Sequence, residues 1–288
     1  MTEFATALAG RVHRATETLH ALIYFVPEAE EELTAVGLRP GRMPYFASRA
    51  APMGAVPAAV VAATFYNFNP DLIVKYIPRA WTLATTEDIL AARLAAVDRA
   101  YRRLLPFDEH GDAIEELAAL VREATTDLAV EARPLFAGHA TLPWPDEPHL
   151  VLWHGVSLLR EYRGDGHLIA LMDAGLNGIE AIVSHSASGR GFLDEVGRTL
   201  RGWSEEQWAA AKETLRGRGL MDGAALSEDG LAQRAAIEAA TDRLDRAAWL
   251  RLGEERTTRV VELGKQLSRA ALMAGAIPPG VFAPTAAG

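Results

Sequence analysis

One segment of the chain combines chemically active residue types with an otherwise apolar helical pattern. Residues 153–167 contain two histidines, two arginines and two carboxylates among leucine, valine and glycine residues. Burying such groups costs several kcal/mol unless each group is paired or serves a ligand. The segment therefore indicates either a network of ion pairs or a binding site.

Glycine residues divide this region into two predicted helices. Apolar residues at helical spacing predict a helix over 149–163, and Gly164 is a plausible stop behind two cations in the last turn. Asp165 would then cap a second helix over 166–174. In this arrangement His167 lies in the first turn of the second helix, close to the cationic end of the first.

Two helix ends that face one pocket would attract an anionic or carbonyl-bearing ligand. Arg160, Arg163 and His167 would orient the polar end of that ligand. The alternative is a structural corner of ion pairs, in which Glu161 and Asp165 neutralise the two arginines.

Aromatic and polar side chains in the first half of the chain could form the walls of the pocket. His20 and Tyr24 are four residues apart and share a helix face, which could place a general base beside a phenol. A buried histidine with structural hydrogen bonds is the alternative. The further predicted ligand contacts are Tyr45, Arg49, Phe65, Tyr66 and Asn67.

Some of these residues also have a structural interpretation. Arg49 could form an ion pair with Glu17 or Glu28 instead of binding a substrate. Asn67 and Asn69 precede a proline, a pattern typical of a turn that caps the following helix. If the pocket is catalytic, His20 and His154 are the candidates for proton transfer.

Several kinds of cofactor lack support in the sequence. The chain has no cysteine, so it can hold neither a disulfide nor a thiolate metal ligand. Its eight histidines never occur four residues apart, and no metal site is predicted. The glycine-rich motifs that bind dinucleotides or ATP are missing. The cofactor stays unknown, and a haem held by a single histidine remains an alternative.

Length and charge narrow the class of protein. A chain of 288 residues with 49% hydrophobic residues can form about two domains. The net charge of -9 argues against tight binding to nucleic acid, although a local basic surface remains an alternative. The first residues lack a signal-peptide pattern and no apolar run is long enough to cross a membrane, which predicts a cytoplasmic protein with no membrane partner.

The C-terminal third predicts three short helices followed by a small β-ribbon. The helices are predicted over 177–188, 192–200 and 204–216. Ser204 is expected to cap the third helix, with Gln207 at the position of a capping box. Residues 219–230 offer two short apolar arms around Asp222 and Gly223, after which Ser227 can cap a long helix.

This order of elements resembles a winged helix-turn-helix of the MarR-like group over about residues 177–246. The resemblance rests on GWSEEQW at 202–208 and RGRGL at 216–220. The would-be recognition helix begins with two carboxylates, and the region holds nine Lys and Arg against twelve Asp and Glu. We therefore expect a scaffold or dimer element rather than a DNA reader. A basic edge could still contact DNA through Arg198, Arg201, Lys212, Arg216 and Arg218.

Over nearly its full length the chain also resembles a family of actinobacterial proteins described as helix-turn-helix or MarR-like, whose biochemical role is unassigned. The resemblance is carried by HALIYF at 20–25, YFASRAAPMG at 45–54, FYNFNP at 65–70, WH at 153–154 and LREYRGDGH at 159–167. It implies a fold and says little about chemistry.

Together these patterns predict an all-α, mostly helical protein with a small β-wing. An N-terminal helical ligand-pocket domain is expected over residues 1–148. Residues 149–288 are expected to supply a helical linker pair, the MarR-like winged helix-turn-helix and a C-terminal dimerisation helix. The amphipathic segment 251–275 could pair with a second copy to form a homodimer, or could instead pack against the first helix.

The predicted function is binding of a hydrophobic small molecule that carries an anionic or carbonyl group, in a partly apolar pocket. One alternative is an enzyme of small-molecule metabolism that needs no nucleotide cofactor and uses histidine acid/base chemistry with arginine stabilisation of an oxyanion. Another alternative is a ligand-responsive, MarR-like transcription regulator.

Overall fold

The computed structural model describes residues 3–189 and 191–278, and this part of the chain is mostly helical, as predicted. Its α-helices are, in chain order, α1 (Glu3–Ala21), α2 (Pro27–Ala35), α3 (Arg42–Ala50), α4 (Ala58–Phe65), α5 (Pro70–Ile73), α6 (Thr86–Leu104), α7 (Phe107–Ala124), α8 (Pro134–Ala140), α9 (Pro148–Asp173), α10 (Gly178–Ala187), α11 (Asp194–Arg201), α12 (Glu205–Gly217), α13 (Glu228–Leu252) and α14 (Glu254–Met273). Strands β1 (Met221–Asp222) and β2 (Ala225–Leu226) form an antiparallel ribbon.

The described residues form two compact units, each built from segments far apart in the sequence. The first unit contains the residues up to Val56 together with Tyr76–Gly166 and Asp242–Ile277. The second contains Pro57–Lys75 and His167–Thr241. The division into domains at residues 148 and 149 stays a prediction.

The core of the first unit surrounds the N-terminal half of α9, in which residues 149–159 are all buried. Helix α14 packs against α1, where the Ser268 hydroxyl donates to the Ala15 carbonyl at 2.7 Å. Gly264 permits this approach, because a Cβ there would lie 3.0 Å from the Thr16 side chain. The alternative that this C-terminal segment packs against the first helix is confirmed, and dimerisation stays a prediction.

The predicted break at Gly164 is wrong, because α9 continues to Asp173 without interruption. A Cβ at Gly164 would lie 2.7 Å from the Arg160 guanidinium, and one at Gly166 would lie 2.9 Å from that of Arg133. The two glycines therefore leave room for arginine side chains rather than ending a helix. Since α9 has no internal end, the predicted pair of helix ends facing a ligand does not exist.

Asp165 and His167 accordingly have other roles than those predicted from a helix start. The Asp165 carboxylate accepts hydrogen bonds from the backbone N–H groups of Leu135 at 3.1 Å and Phe136 at 2.9 Å, so it caps α8. His167 belongs to the second unit, where its Nδ1 atom lies 2.9 Å from the Thr241 hydroxyl.

The second unit has the predicted helix-turn-helix with a small β-wing. Gly202 ends α11 in the left-handed conformation, and Ser204 and Gln207 form the predicted capping box at the start of α12. In the ribbon Met221 pairs with Leu226. Ser227 then accepts a hydrogen bond from the Gly230 N–H group at 3.1 Å, as expected for the cap of a helix.

A side-chain cap begins α5 in the second unit. The Asn69 side chain accepts from the Asp71 N–H group and caps this helix, which confirms the turn predicted before Pro70.

Within residues 3–189 and 191–278, no single helix is both long and apolar enough to cross a membrane.

Candidate functional site

A network of buried charges surrounds Glu161 of α9 in the first unit. Glu161 is 1% exposed, and Arg49 of α3 donates to it from Nε at 3.1 Å and from Nη2 at 2.9 Å. Arg160 lies 3.8 Å from the same carboxylate and 3.1 Å from that of Glu17. Burial raises the pKa of Glu161, but Arg49 and Arg160 outweigh it and hold that pKa well below its usual range.

The partner of Arg49 thus differs from the two carboxylates expected from the sequence. Glu17 pairs with Arg160, and Glu28 pairs with Arg103, which leaves Glu161 as the carboxylate of Arg49. Glu161 lies more than a hundred residues further along the chain, so local spacing could not identify this pair.

His20 and Tyr24 are hydrogen-bonded, as their spacing of four residues predicts, although α1 ends at Ala21 and Tyr24 lies in the 3-10 turn that follows. The Tyr24 hydroxyl lies 3.2 Å from His20 Nε2, and His20 Nδ1 lies 2.9 Å from the Ser157 hydroxyl. Ser157 donates its own proton to the Trp153 carbonyl at 2.7 Å, so its oxygen must accept from His20 Nδ1–H. These partners assign the free lone pair of His20 to Nε2, which accepts the Tyr24 proton.

In the hydrogen bond between Tyr24 and His20, the proton is bound to the Tyr24 oxygen. Burial lowers the pKa of His20 well below its ordinary value and raises the pKa of Tyr24 to about 12. Moving the phenol proton to the imidazole is therefore strongly unfavourable. The arrangement suits a neutral hydrogen-bonding wall better than the proton transfer predicted for His20.

His154, the other residue predicted to transfer protons, is a buried neutral imidazole. It is 5% exposed, and its ring lies edge-on to Trp144 with the centroids 4.6 Å apart. Burial, reinforced by Arg93 and Arg122, lowers the pKa of His154 to about 4. Its Nε2 atom has no hydrogen-bond partner among the described residues. A ligand could therefore bond to this nitrogen without displacing an existing partner.

The space beside the network is small. A cavity of about 10 Å³ lies between α1, α9 and α13, and its lining includes Glu17, His20, Arg160 and Arg163. That volume suits one water molecule, whereas small-molecule pockets usually measure roughly 300–1,000 Å³. Arg163 itself is paired, with Asp242 at 2.8 Å and Asp245 at 3.4 Å. The predicted pocket is therefore not preformed at this cavity.

The residues predicted to contact a ligand are divided between the two compact units. His20, Tyr24, Tyr45, Arg49, His154, Arg160 and Arg163 belong to the first unit. Within this group the rings of Tyr24 and Tyr45 meet edge to face with centroids 5.0 Å apart, and both are partly exposed. They form one of the partly exposed parts of the network, and the Glu17–Arg160 pair forms another.

Phe65, Tyr66 and Asn67 belong to the second unit, as His167 does. The Tyr66 hydroxyl donates to the Leu176 carbonyl, and the Asn67 carbonyl accepts from the Trp203 indole at 2.9 Å. The Phe65 ring lies 6.1 Å from that of Phe68. These contacts are within the unit, and a ligand-binding role for the three residues stays a prediction.

Arg93 of α6 is a buried cation that was not predicted from the sequence. It is 1% exposed, and its Nη1 atom donates to the Ser48 carbonyl at 3.2 Å and lies 3.1 Å from His139 Nε2. Its guanidinium carbon lies 4.7 Å from the centroid of the Trp153 ring. Nε and Nη2 of Arg93 have no hydrogen-bond partner among the described residues. Each unmet donor costs about 1–3 kcal/mol when it is buried.

The contacts of the Arg93 Nη1 atom have a local cause. The Ser48 carbonyl lacks the usual helical donor because the residue four positions later is Pro52, which has no N–H group. His139 Nδ1 lies 2.8 Å from the Leu135 carbonyl and must donate to it, so Nε2 is the acceptor for Arg93. Burial, with help from Arg93, lowers the pKa of His139 to about 3, which keeps this ring neutral.

A pattern in the sequence could have identified Arg93. It shares one face of α6 with Ile89, Ala96, Val97 and Ala100, all of which are buried. An arginine in the middle of an apolar stripe indicates a buried charge. The abundance of arginine elsewhere in this helix concealed that signal.

The helix-turn-helix surface has a different distribution of charge. The five basic side chains of the predicted edge have contacts within the same unit. Four of them are held by oxygen atoms: Arg198 by Glu205, Lys212 by Asp194, Arg216 by the Gly223 carbonyl of the wing, and Arg218 by Glu180. Arg201 packs its guanidinium against the rings of Phe68 and Phe192. Helix α12 exposes Glu205, Glu206 and Glu213. A DNA-reading helix needs exposed donors and flanking cations for the phosphates, and this surface offers mainly carboxylates.

The described part of the chain contains no cluster of metal ligands. Nowhere in it do three or more histidine, aspartate or glutamate side chains lie close enough together to hold one metal ion. Beside Trp144 and Trp153, the buried side-chain atoms without a hydrogen-bond partner belong to Arg93 and His154, which suit an anion or a hydrogen-bonding ligand.

Comparison with known proteins identifies the family of this chain but assigns it no ligand or reaction. No curated protein and no solved structure matches the chain. The model of the Helix-turn-helix family matches residues 9–278, which is nearly the whole sequence. The protein therefore belongs to this helix-turn-helix family.

Proposed function

We propose that the protein binds a small molecule with an anionic or carbonyl group in the first unit, and that its helix-turn-helix does not read DNA sequence. The observation that carries the proposal is the pair of unmet polar groups in one buried region, the Arg93 guanidinium and the His154 imidazole. Arg93 affects the pKa of His154, so the two groups interact. Buried polar atoms normally have partners, and a ligand would supply them.

The surroundings of these groups suit a ligand with a flat apolar part. Trp144 and Trp153 pack against His154 and Arg93, respectively, while Tyr24 and Tyr45 lie at the partly exposed edge. The cavity between α1, α9 and α13 measures only about 10 Å³, so entry of a ligand there requires side chains to move. Conformational opening of this kind is common in ligand-binding sites.

The enzyme and regulator alternatives receive less support. The proton held by Tyr24 and the low pKa values of His20 and His154 do not favour histidine acid/base chemistry. A ligand-responsive, MarR-like regulator is the second candidate, because the chain belongs to a helix-turn-helix family. The carboxylates exposed on α12 count against it. A homodimer and a cytoplasmic location stay predictions.

Native mass spectrometry and an absorption spectrum, both on protein purified from its own host, test the binding proposal. We expect a bound mass in stoichiometric amount that is reduced in His154→Ala and retained in His110→Ala, a control outside the network. Absorption in the visible range would identify a haem or another chromophore. A wild-type protein with no bound mass and no colour would contradict the proposal.

A mobility-shift titration with duplex DNA tests the second part of the proposal. We expect only weak binding that disappears as salt is raised, because Arg198, Lys212, Arg216 and Arg218 already have partners within their own unit. Tight binding that persists at physiological salt and depends on sequence would favour the regulator instead.

A further inference from the structure

Arginine side chains in this protein repeatedly hold a carboxylate with the same edge of the guanidinium group. Three of them donate from both Nε and Nη2 to one carboxylate: Arg49 to Glu161, Arg103 to Glu28, and Arg259 to Glu116. These two N–H groups are parallel and match the two oxygens of a carboxylate. We call this pair of donors the Nε–Nη2 edge.

In Arg93 the same edge holds no carboxylate. Nη1 is the atom that contacts Ser48 and His139, while Nε and Nη2 are buried and have no partner with hydrogen-bonding geometry among the described residues. The Tyr24 hydroxyl is the neutral polar group that interacts with this guanidinium. The two unmet donors are thus the pair that holds carboxylates in Arg49, Arg103 and Arg259. On the basis of the proposed function, we infer that the Nε–Nη2 edge of Arg93 binds the carboxylate of the small-molecule ligand.

The orientation of this edge is set before any ligand arrives. The Ser48 carbonyl and His139 hold Nη1, and the Trp153 ring covers one face of the guanidinium. Because His139 is itself fixed by the Leu135 carbonyl, the plane of the guanidinium has little freedom. A preoriented pair of donors reduces the ordering cost of binding and favours a planar anion over a single water molecule.

The neighbours of Arg93 also define the body of the ligand. Tyr24 interacts with Arg93 and is partly exposed, and its ring contacts that of Tyr45. A carboxylate that reaches Arg93 past Tyr24 would bring its attached group against these aromatic rings. The ligand class is therefore a monocarboxylic acid with a flat or apolar body, of which benzoate is the simplest probe.

Thermal unfolding of the full chain with sodium benzoate tests this inference. Sodium chloride keeps the ionic strength equal, and benzyl alcohol supplies the same ring without the carboxylate. We expect a saturable rise in Tm with benzoate alone, because only the carboxylate pairs with the edge. In Arg93→Met the affinity should fall by roughly ten-fold or more, whereas Arg103→Met, which removes an edge already occupied by Glu28, should retain it.

The NMR signals of the arginine Nε–H groups give a second readout on the wild-type protein, which does not depend on the folding of a variant. Benzoate should move one of these signals downfield, and chloride should not. The inference would be overturned if benzoate raised the Tm of wild type and Arg93→Met equally. It would also be overturned if benzoate neither raised the Tm of wild type nor shifted an Nε–H signal. A ligand retained from the host and unchanged in Arg93→Met would overturn it while leaving the proposed function intact.

Discussion

The charges around Glu161 and those on the helix-turn-helix surface differ in how far their ion pairs are buried. Arg49 and Glu161 lie in the core and depend on each other, whereas Lys212 and Asp194 meet at the surface. Removing one partner of a buried pair costs about 3–5 kcal/mol, and an exposed pair contributes about 0–1 kcal/mol. The difference indicates that the first region tolerates less change in charge than the second.

The largest expected effect comes from Glu161→Gln. This change leaves Arg49 without its buried carboxylate and removes one neighbour of Arg160. We expect the free energy of unfolding to fall by about 3–5 kcal/mol. Urea unfolding followed by circular dichroism measures it. A loss as small as that of a surface pair would show that the network is hydrated and would remove the contrast between the two regions.

Asp165→Asn should have a pH-dependent effect in the first unit. Burial raises the pKa of Asp165 from 3.8 to about 6, so the folded state holds this proton more tightly than the unfolded chain. This contribution to stability is present at low pH and is lost as the pH rises through about 6. One oxygen accepts both helix N–H groups, and asparagine can supply such an oxygen.

Unfolding of Asp165→Asn and wild type should therefore be compared across this range of pH. We expect the variant to match wild type near pH 4 and to be more stable by up to about 3 kcal/mol at pH 7. Groups common to both proteins cancel in the difference. A variant that is less stable than wild type at pH 7 would show that the ionised carboxylate is favourable where it lies.

Gly178→Ala tests whether the second unit depends on close packing rather than on charge. A Cβ at Gly178 would lie directly against the Tyr66 carbonyl of the same unit. We expect a loss of about 1–3 kcal/mol in the unfolding of this unit. Gly111→Ala is the matched control, because no atom lies within 4 Å of the added Cβ and alanine favours the helix. Equal losses in both variants would contradict the packing argument.

The extent to which the sequence predicts these features depends on the range of the interaction. The Ser204 cap, the wing and the contact between His20 and Tyr24 follow from residues close in the chain, and all three are present. The stop at Gly164 failed because glycine also serves close packing, here against Arg160. Glycine alone does not distinguish these two uses.

The chemistry of the candidate site was harder to predict because it depends on distant partners. The contacts of Arg49 and Arg163 are made with residues far along the chain, so their pairing was invisible to local spacing. Arg93 was missed although it interrupts an apolar stripe on α6. An unmet donor becomes visible only when all of its potential partners have been placed.

The smallest effect is expected at the helix-turn-helix surface. Lys212→Ala removes an exposed pair with Asp194 and should change the free energy of unfolding by about 0–1 kcal/mol. The weak duplex-DNA affinity at low salt should also stay within about two-fold, because Lys212 is already paired. A marked loss of DNA binding in Lys212→Ala would show that this lysine contacts phosphate and that the surface is more than a scaffold.

The buried Nε–Nη2 edge of Arg93 is the proposed binding site for a carboxylate from outside the chain. A crystal structure of the protein soaked with benzoate tests it most directly. We expect both carboxylate oxygens within hydrogen-bonding distance of Arg93 Nε and Nη2, with the benzoate ring turned towards Tyr24 and Tyr45. Two results would contradict the proposed site. In one, the Nε–Nη2 edge of Arg93 is paired with a carboxylate of the protein itself. In the other, this edge is hydrated while benzoate binds elsewhere.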